Sequence, residues 1–357
     1  MYIILLFSEV PMNTETVVLS SERKVTLTAY IQSVGNEFPN ISKRPAVIVL
    51  PGGGYEYCSE REAVPVALPY LAEGFNAFIL RYSVGKYKTW PRPLEDYEEA
   101  VEHIRSNSDK YHIDPDKLAV IGFSAGGHLA AAAASMSKNR PNAAILGYAV
   151  SGPDVIGCSF TAPDAIAAVD DKTCPCFVFA TRNDNIVAVI NSVKMMEALT
   201  EHGISYEGHI YAYGPHGFTT GSESTIKNFE DKRCSRISDW VDDSIEWLFD
   251  IFGRFDEKGI AEPACPPRDN ADDGEMLSGE CTIRQIMSVP KGRALLNEVS
   301  AQIEASSEME KLPEGIENRF MLVRNLKFID ALRMSGISEE GIQKTLGAIG
   351  VIPNKVK

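Results

Sequence analysis

The chain reads as an α/β protein, with a mostly parallel sheet covered by helices on both faces, followed by a small helical module. Three observations point there. Short apolar runs recur at Ala46 to Leu50, Ala77 to Tyr82, Leu118 to Phe123, Ala143 to Val150, Cys176 to Ala180 and Tyr206 to Tyr213, each of strand length. Segments with helical spacing separate most of them, such as Leu94 to Ser106 and Val187 to His202. Strand and helix alternating in this way bury a parallel sheet on both sides. After about residue 275 the strand signals stop and apolar stripes at helical spacing take over.

Before the first run, Val17, Leu19, Val25, Leu27, Ala29 and Ile31 alternate with polar residues from Thr16 to Ser33, which predicts an antiparallel strand pair. Residues 1–12 precede that pattern and are expected to lie outside the fold as an N-terminal extension, with Met12 as an alternative start. Asp114-Pro115-Asp116 marks a turn before the strand that carries Gly122, and Ile237 to Phe252 reads as a closing amphipathic helix. The domain is therefore drawn over 13–253. From 254 to 275 Asp, Glu, Pro and Gly dominate, the composition of a linker. The module, 276–357, carries three or four helical stripes, including Leu295, Leu296, Val299 and Ile303. About eighty residues is near the lower limit for an independent core, so the module is expected to dock on the first domain or to pair with a second copy of the chain.

Composition narrows the function. The 357 residues include 49 Asp and Glu against 35 Lys and Arg, a formal charge of −14, which repels phosphate backbones and anionic lipid. Neither nucleic acid nor membrane is expected as a partner. The N-terminal apolar stretch lacks the basic segment of a secretory signal, so a cytoplasmic location is expected. Seven cysteines, Cys58, Cys158, Cys174, Cys176, Cys234, Cys265 and Cys281, form neither a dense disulfide framework nor paired zinc spacing. Cys174-Pro175-Cys176 leads directly into an apolar run and is read as strand-entry packing.

The residues that carry chemistry begin with Gly122-Phe123-Ser124-Ala125-Gly126-Gly127, a G-x-S-x-G between an apolar strand and an alanine-rich helix. Such a turn exposes a serine nucleophile where larger flanking residues would collide with backbone. Serine needs a base, an acid to orient the base, and donors for the tetrahedral oxyanion. Pro51-Gly52-Gly53-Gly54-Tyr55 follows a strand without the Lys-Ser/Thr of a phosphate loop. Gly53, Gly54 and Ala125 are thus the candidate oxyanion donors. Asp184 follows the strand Cys176 to Ala180, at the edge where open α/β sheets bind ligands. Asp154, Asp164, Asp170 and Asp171 precede that strand and read as capping or solvated residues. His216 lies on the glycine-flanked turn Gly214-Pro215-His216-Gly217 after the last strand. His202 ends a helix, His209 lies within a strand, and His128 sits on the helix after Ser124, so all three read as structural. The order Ser124, Asp184, His216 is that of α/β-hydrolase triads.

Over Pro45 to about Gly253 the chain resembles α/β-hydrolase esterases of the acetyl esterase and lipase group, in particular the branch containing acetylxylan and other xylan-associated esterases. The resemblance rests on Pro51-Gly-Gly-Gly-Tyr55, Ser59-Glu60-Arg61-Glu62-Ala63, Phe78-Ile79-Leu80-Arg81-Tyr82, Trp90-Pro91, Ile113-Asp114-Pro115, Gly122-Phe-Ser-Ala-Gly-Gly-His-Leu129 and Gly214-Pro-His-Gly-Phe218. It implies a serine esterase with Ser124, Asp184 and His216 as triad and Gly53, Gly54 and Ala125 as oxyanion hole, and no metal or organic cofactor. Residues beyond Gly253 carry no such resemblance. The Ser151 to Thr173 segment is long enough for a slight cap alone, so a small acyl group is expected on a carbohydrate or other polar alcohol. Tyr55, Tyr57 and Trp90 are candidate platforms for a sugar ring. A peptidase of the same fold and a non-catalytic binding protein are the alternatives.

Overall fold

The structure, a computed structural model, describes residues 12–226, 234–265, 267, 275–306 and 318–354. Residues 1–11 of the expected N-terminal extension lie outside them. The chain divides into two compact units, Met1–Pro267 and Arg268–Lys357.

Among the described residues the main sheet of the first unit has eight strands: β1 (Asn13–Ser20), β2 (Val25–Ile31), β3 (Arg44–Leu50), β4 (Asn76–Arg81), β5 (Ile113–Phe123), β6 (Ala143–Gly147), β7 (Cys176–Thr181) and β8 (Tyr206–Tyr211). They lie in the order β1-β2-β4-β3-β5-β6-β7-β8. β2 pairs antiparallel with both β1 and β4, and every pairing from β4 through β8 is parallel. The helices are α1 (Val64–Ala72), α2 (Arg92–Ser106), α3 (Ala125–Met136), α4 (Ile190–Glu201) and α5 (Trp240–Phe252).

Strand periodicity divides the interior in two. On β3, Ala46, Ile48 and Leu50 join a core with Tyr97 and Ile104 of α2, Leu129 of α3 and Leu199 of α4, while Val47 and Val49 face a second core with Tyr70 of α1 and Trp240 and Leu248 of α5. Central strands buried on both faces read as continuous apolar runs, which is why they stand out in the sequence. Tyr206, Glu207 and Gly208 on edge strand β8 are exposed. The Asp114 turn is retained inside β5 as a side-chain bond, Asp116 N–H to Asp114 Oδ1 at 3.0 Å.

The expected boundary at 253 moves. Phe255–Asp256 (β9) and Gly259–Ile260 (β10) form a small hairpin, and the Phe255 ring lies edge-on at 6.2 Å from Phe249 of α5. Ala264 and Cys265 N–H both donate to the Asp250 carbonyl, at 2.8 and 2.9 Å. This stretch is too poor in apolar residues to show a period, yet Phe255 and the backbone bonds hold it to the first unit.

The second unit has α6 (Ile283–Ser288), α7 (Pro290–Ser306), α8 (Phe328–Met334) and α9 (Glu339–Ile349) around a core that includes Leu277, Ile286, Leu296, Phe328, Leu332 and Ile349. Thr282 and Ser338 cap α6 and α9 through their hydroxyls. The N–H of Leu277 donates to Ile352 and that of Asn354 to Glu275, which ties the unit's ends together.

Because each unit has its own core, a chain ending at Pro267 is expected to fold alone and unfold in one cooperative urea transition. Ending instead at Arg254 removes the Phe255 contact and should cost ~1–3 kcal/mol, read as a lower transition midpoint.

Candidate active site

The turn at Ser124 is set by backbone contact. β5 ends at Phe123 and α3 starts at Ala125, so Ser124 turns the chain alone, with φ 53° and ψ −118°. That is a sparsely populated conformation for a non-glycine residue. It is held by Ser124 N–H to the Gly147 carbonyl at 3.0 Å and by Val150 N–H to the Ser124 carbonyl at 3.3 Å. A Cβ on Gly122 would overlap the Gly126 carbonyl, and one on Gly126 would overlap the carbonyls of Leu50 and Pro51. The strand, the helix start and the Pro51 loop therefore touch through bare backbone.

His216 Nε2 lies 2.9 Å from Ser124 Oγ, and its Nδ1 lies 2.7 Å from Asp184 Oδ2. The Asp184 side chain is fully buried and that of His216 is 16% exposed. Asp184 Oδ1 accepts the N–H groups of Ile186 and Val187 at 2.8 and 2.9 Å, so the carboxylate is an acceptor on both oxygens. Nδ1–H then donates to Asp184, leaving Nε2 free to accept the serine proton. The loops that carry Asp184 and His216 are joined directly: Gly214 N–H donates to Asn183 Oδ1 at 3.0 Å, and Thr181 Oγ1 donates to the Gly214 carbonyl at 2.8 Å. Trp240 Nε1–H anchors the far side of the histidine turn on the Thr219 carbonyl at 2.9 Å.

Gly53 takes φ +132°, where a Cβ would overlap the Tyr57 carbonyl, and Gly54 takes φ +62°. Gly52 N–H is bound to Glu62 Oε2 at 2.8 Å. Among the described residues no acceptor engages the N–H groups of Gly53, Gly54 or Ala125. The Pro51 carbonyl is held by the Tyr82 hydroxyl at 2.6 Å. The arrangement offers a serine with a positioned base beside unengaged backbone donors, the parts needed for acyl transfer.

Tyr55 is not a sugar platform. It is wholly buried, and its hydroxyl donates to His128 Nδ1 at 2.7 Å. Its φ of 60° accompanies packing in the core instead of exposure in the cleft. His128 Nε2–H donates to the Pro163 carbonyl at 2.8 Å. Trp90 is half-buried and packs edge-on against Tyr55 and His128 at 6.4 and 5.2 Å, while Tyr57 is exposed. The other acids are occupied elsewhere: Asp154 with Asn191, Asp164 with the N–H groups of Ile166 and Ala167, Asp170 with Arg140, and Asp171 with His202. Sequence reasoning gave no role to Glu62, a buried carboxylate beside the glycine loop; its one signal was its place in Ser59-Glu60-Arg61-Glu62-Ala63.

A crystal structure of MGS-M1, an α/β hydrolase enzyme from a Medee basin deep-sea metagenome library, is 42% identical, superposes with a TM-score of 0.63, and covers 67% of this chain and 98% of that one. The chain belongs to the α/β-hydrolase family. A family model described as BD-FAE matches residues 38–151 of this α/β-hydrolase. Among curated relatives, an endo-1,4-beta-xylanase B of Butyrivibrio fibrisolvens is 32% identical over 51% of this chain and 33% of its own length. An acetylxylan esterase of Xylanibacter ruminicola is 25% identical over 63% of this chain and 50% of its own. The α/β-hydrolase chain thus spans between a third and a half of the length of these two relatives.

His128 makes a pH test of the packing around the site. Burial pushes it down from 6.5 to about 4, so the fold holds it neutral. The unfolded chain gains its proton below ~6.5, so the stability from the neutral ring is present above that pH and is lost as pH falls. Wild type should lose ~2 kcal/mol between pH 7 and pH 5 from this group, and His128→Asn should lose correspondingly less in urea titrations at the two values.

Proposed function

We propose that the chain is a serine carboxylester hydrolase that removes short acyl groups, acetyl above all, from carbohydrate or other polar esters. The observation that carries this reading is the unbroken path from Ser124 Oγ through His216 to buried Asp184, next to the unengaged amides of Gly53, Gly54 and Ala125. In this mechanism His216 Nε2 takes the proton of Ser124 Oγ as it attacks the ester carbonyl. The tetrahedral oxyanion is received by the three amides. His216 then protonates the leaving alcohol, and a water activated by the same nitrogen releases the acid from the acyl-enzyme.

The small acyl group is supported by the cap segment, in which Pro153–Gly157 is the one helical element among 151–173. The carbohydrate alcohol is supported by the names of the xylanase and acetylxylan esterase relatives. Every group named in the mechanism lies before Gly217, so the second unit is assigned an accessory role, and the chain ending at Pro267 should retain turnover of p-nitrophenyl acetate.

Ser124→Ala and His216→Ala are each expected to lower kcat on p-nitrophenyl acetate by at least ~10³-fold with the fold intact, and Asp184→Asn by a similar or smaller factor. The rate should fall toward acid pH, because an imidazolium cannot accept the serine proton. Full activity of Asp184→Asn beside a dead Asp164→Asn or Asp171→Asn would overturn the choice of acid. On p-nitrophenyl esters of increasing chain length, kcat/KM should be highest for acetyl and decline steeply by octanoyl; the reverse order rules out the short-acyl reading. Acetylated xylo-oligosaccharides are the test of the alcohol, and hydrolysis of an aminoacyl amide without that of the acetate ester would favour a peptidase.

A further inference from the structure

Glu62 has no part in the mechanism above, yet it is 3% exposed and joins its two halves. It ends the short helical turn Glu60–Glu62 before α1. Its Oε2 accepts Gly52 N–H at 2.8 Å, and its Oε1 accepts the Tyr148 hydroxyl at 2.7 Å. The Tyr148 oxygen in turn accepts Thr219 N–H at 3.2 Å, and its ring lies edge-on at 5.1 Å from the His216 imidazole. The adjacent Arg61 holds the same turn from the other side, with Nη1 donating to the carbonyls of Gly217 and Thr225 at 3.0 and 2.6 Å.

Gly52 N–H can only donate, and the Tyr148 hydroxyl donates to Glu62 while its oxygen accepts from Thr219, so each Glu62 oxygen accepts one hydrogen bond. Burial pushes the carboxyl above its ordinary value, opposed by the bonds from Tyr148 and Gly52 and by the charges of Arg61 and His216.

We propose that Glu62 is a positioning residue for this site: its carboxylate fixes the peptide at Gly52, and with it the direction of the Gly53 and Gly54 amides, and through Tyr148 it steadies the turn that carries His216. The inference rests on the hydrolase reading.

The test compares full-length wild type, Glu62→Gln, Tyr148→Phe and a control, Glu60→Gln, whose carboxylate pairs with Arg81 at the surface. In Glu62→Gln kcat on p-nitrophenyl acetate should fall ~10- to 100-fold, less than deletion of an oxyanion donor, with KM within ~3-fold. Tyr148→Phe should lower kcat ~3- to 10-fold, and Glu60→Gln should stay within ~2-fold of wild type. Folded Glu62→Gln with unchanged kcat overturns the proposal. So does a loss confined to KM. If Glu62→Gln does not fold, Tyr148→Phe decides alone, and unchanged kcat there overturns it. Wild type that fails to react with a fluorophosphonate at Ser124 sinks the hydrolase reading itself, and this inference with it.

Discussion

Everything at this site depends on the contact between the first turn of α3 and the peptide carbonyls of Leu50 and Pro51, made possible by the absence of a side chain at Gly126. Beyond the last paired residues of the neighbouring parallel strands β3 and β5, it holds the glycine loop that follows one against the turn at Ser124 that follows the other. A methyl group there would push the loop outward, and tightly packed interiors do not absorb such a shift locally. The left-handed turn at Ser124 persists for the same reason. Bonds to Gly147 and from Val150 surround it on the β6 side, while the Pro51 loop closes the other.

Asp184 and His216 are brought to the same sheet edge by loops that are tied to each other as well as to their strands. Asn183 and Thr181 bind Gly214, so the turns that carry Asp184 and His216 are joined directly. Trp240, stacked at 4.3 Å on Phe179 of β7, reaches from α5 to the Thr219 carbonyl. The α5 face of the core thus has a direct bearing on where His216 sits. Glu62 and Tyr148 complete the ring by linking the glycine loop to the histidine turn. Precision of this kind matters because oxyanion donors act only when aimed at the developing charge.

The opposite face shows how a residue read for function can belong to packing. Tyr55 follows the three glycines, a place that suggested a cleft, but it points into the core and shares a hydrogen bond with His128. Together with half-buried Trp90 this aromatic and imidazole cluster supports the glycine loop from beneath. The hairpin after Gly253 is a second instance: one phenylalanine and a few backbone bonds hold a stretch whose composition is that of a linker.

Sequence periodicity was enough to place the parallel strands, most of the helices and the turns that hold Ser124, Asp184 and His216, because each depends on local rules. Doubly buried strands are continuous apolar runs, and a tight strand-to-helix turn demands small residues. The chain order of the three residues followed from the order of the strands. What local pattern cannot encode is the direction of a side chain whose partner lies far along the chain. Glu62 meets Tyr148 across 86 positions and Tyr55 meets His128 across 73, and neither separation leaves a period in the sequence. Whether a carboxylate is buried among donors or solvated, and whether a tyrosine faces a cleft or the core, is set by which strands become neighbours. That was decided by the tertiary structure alone.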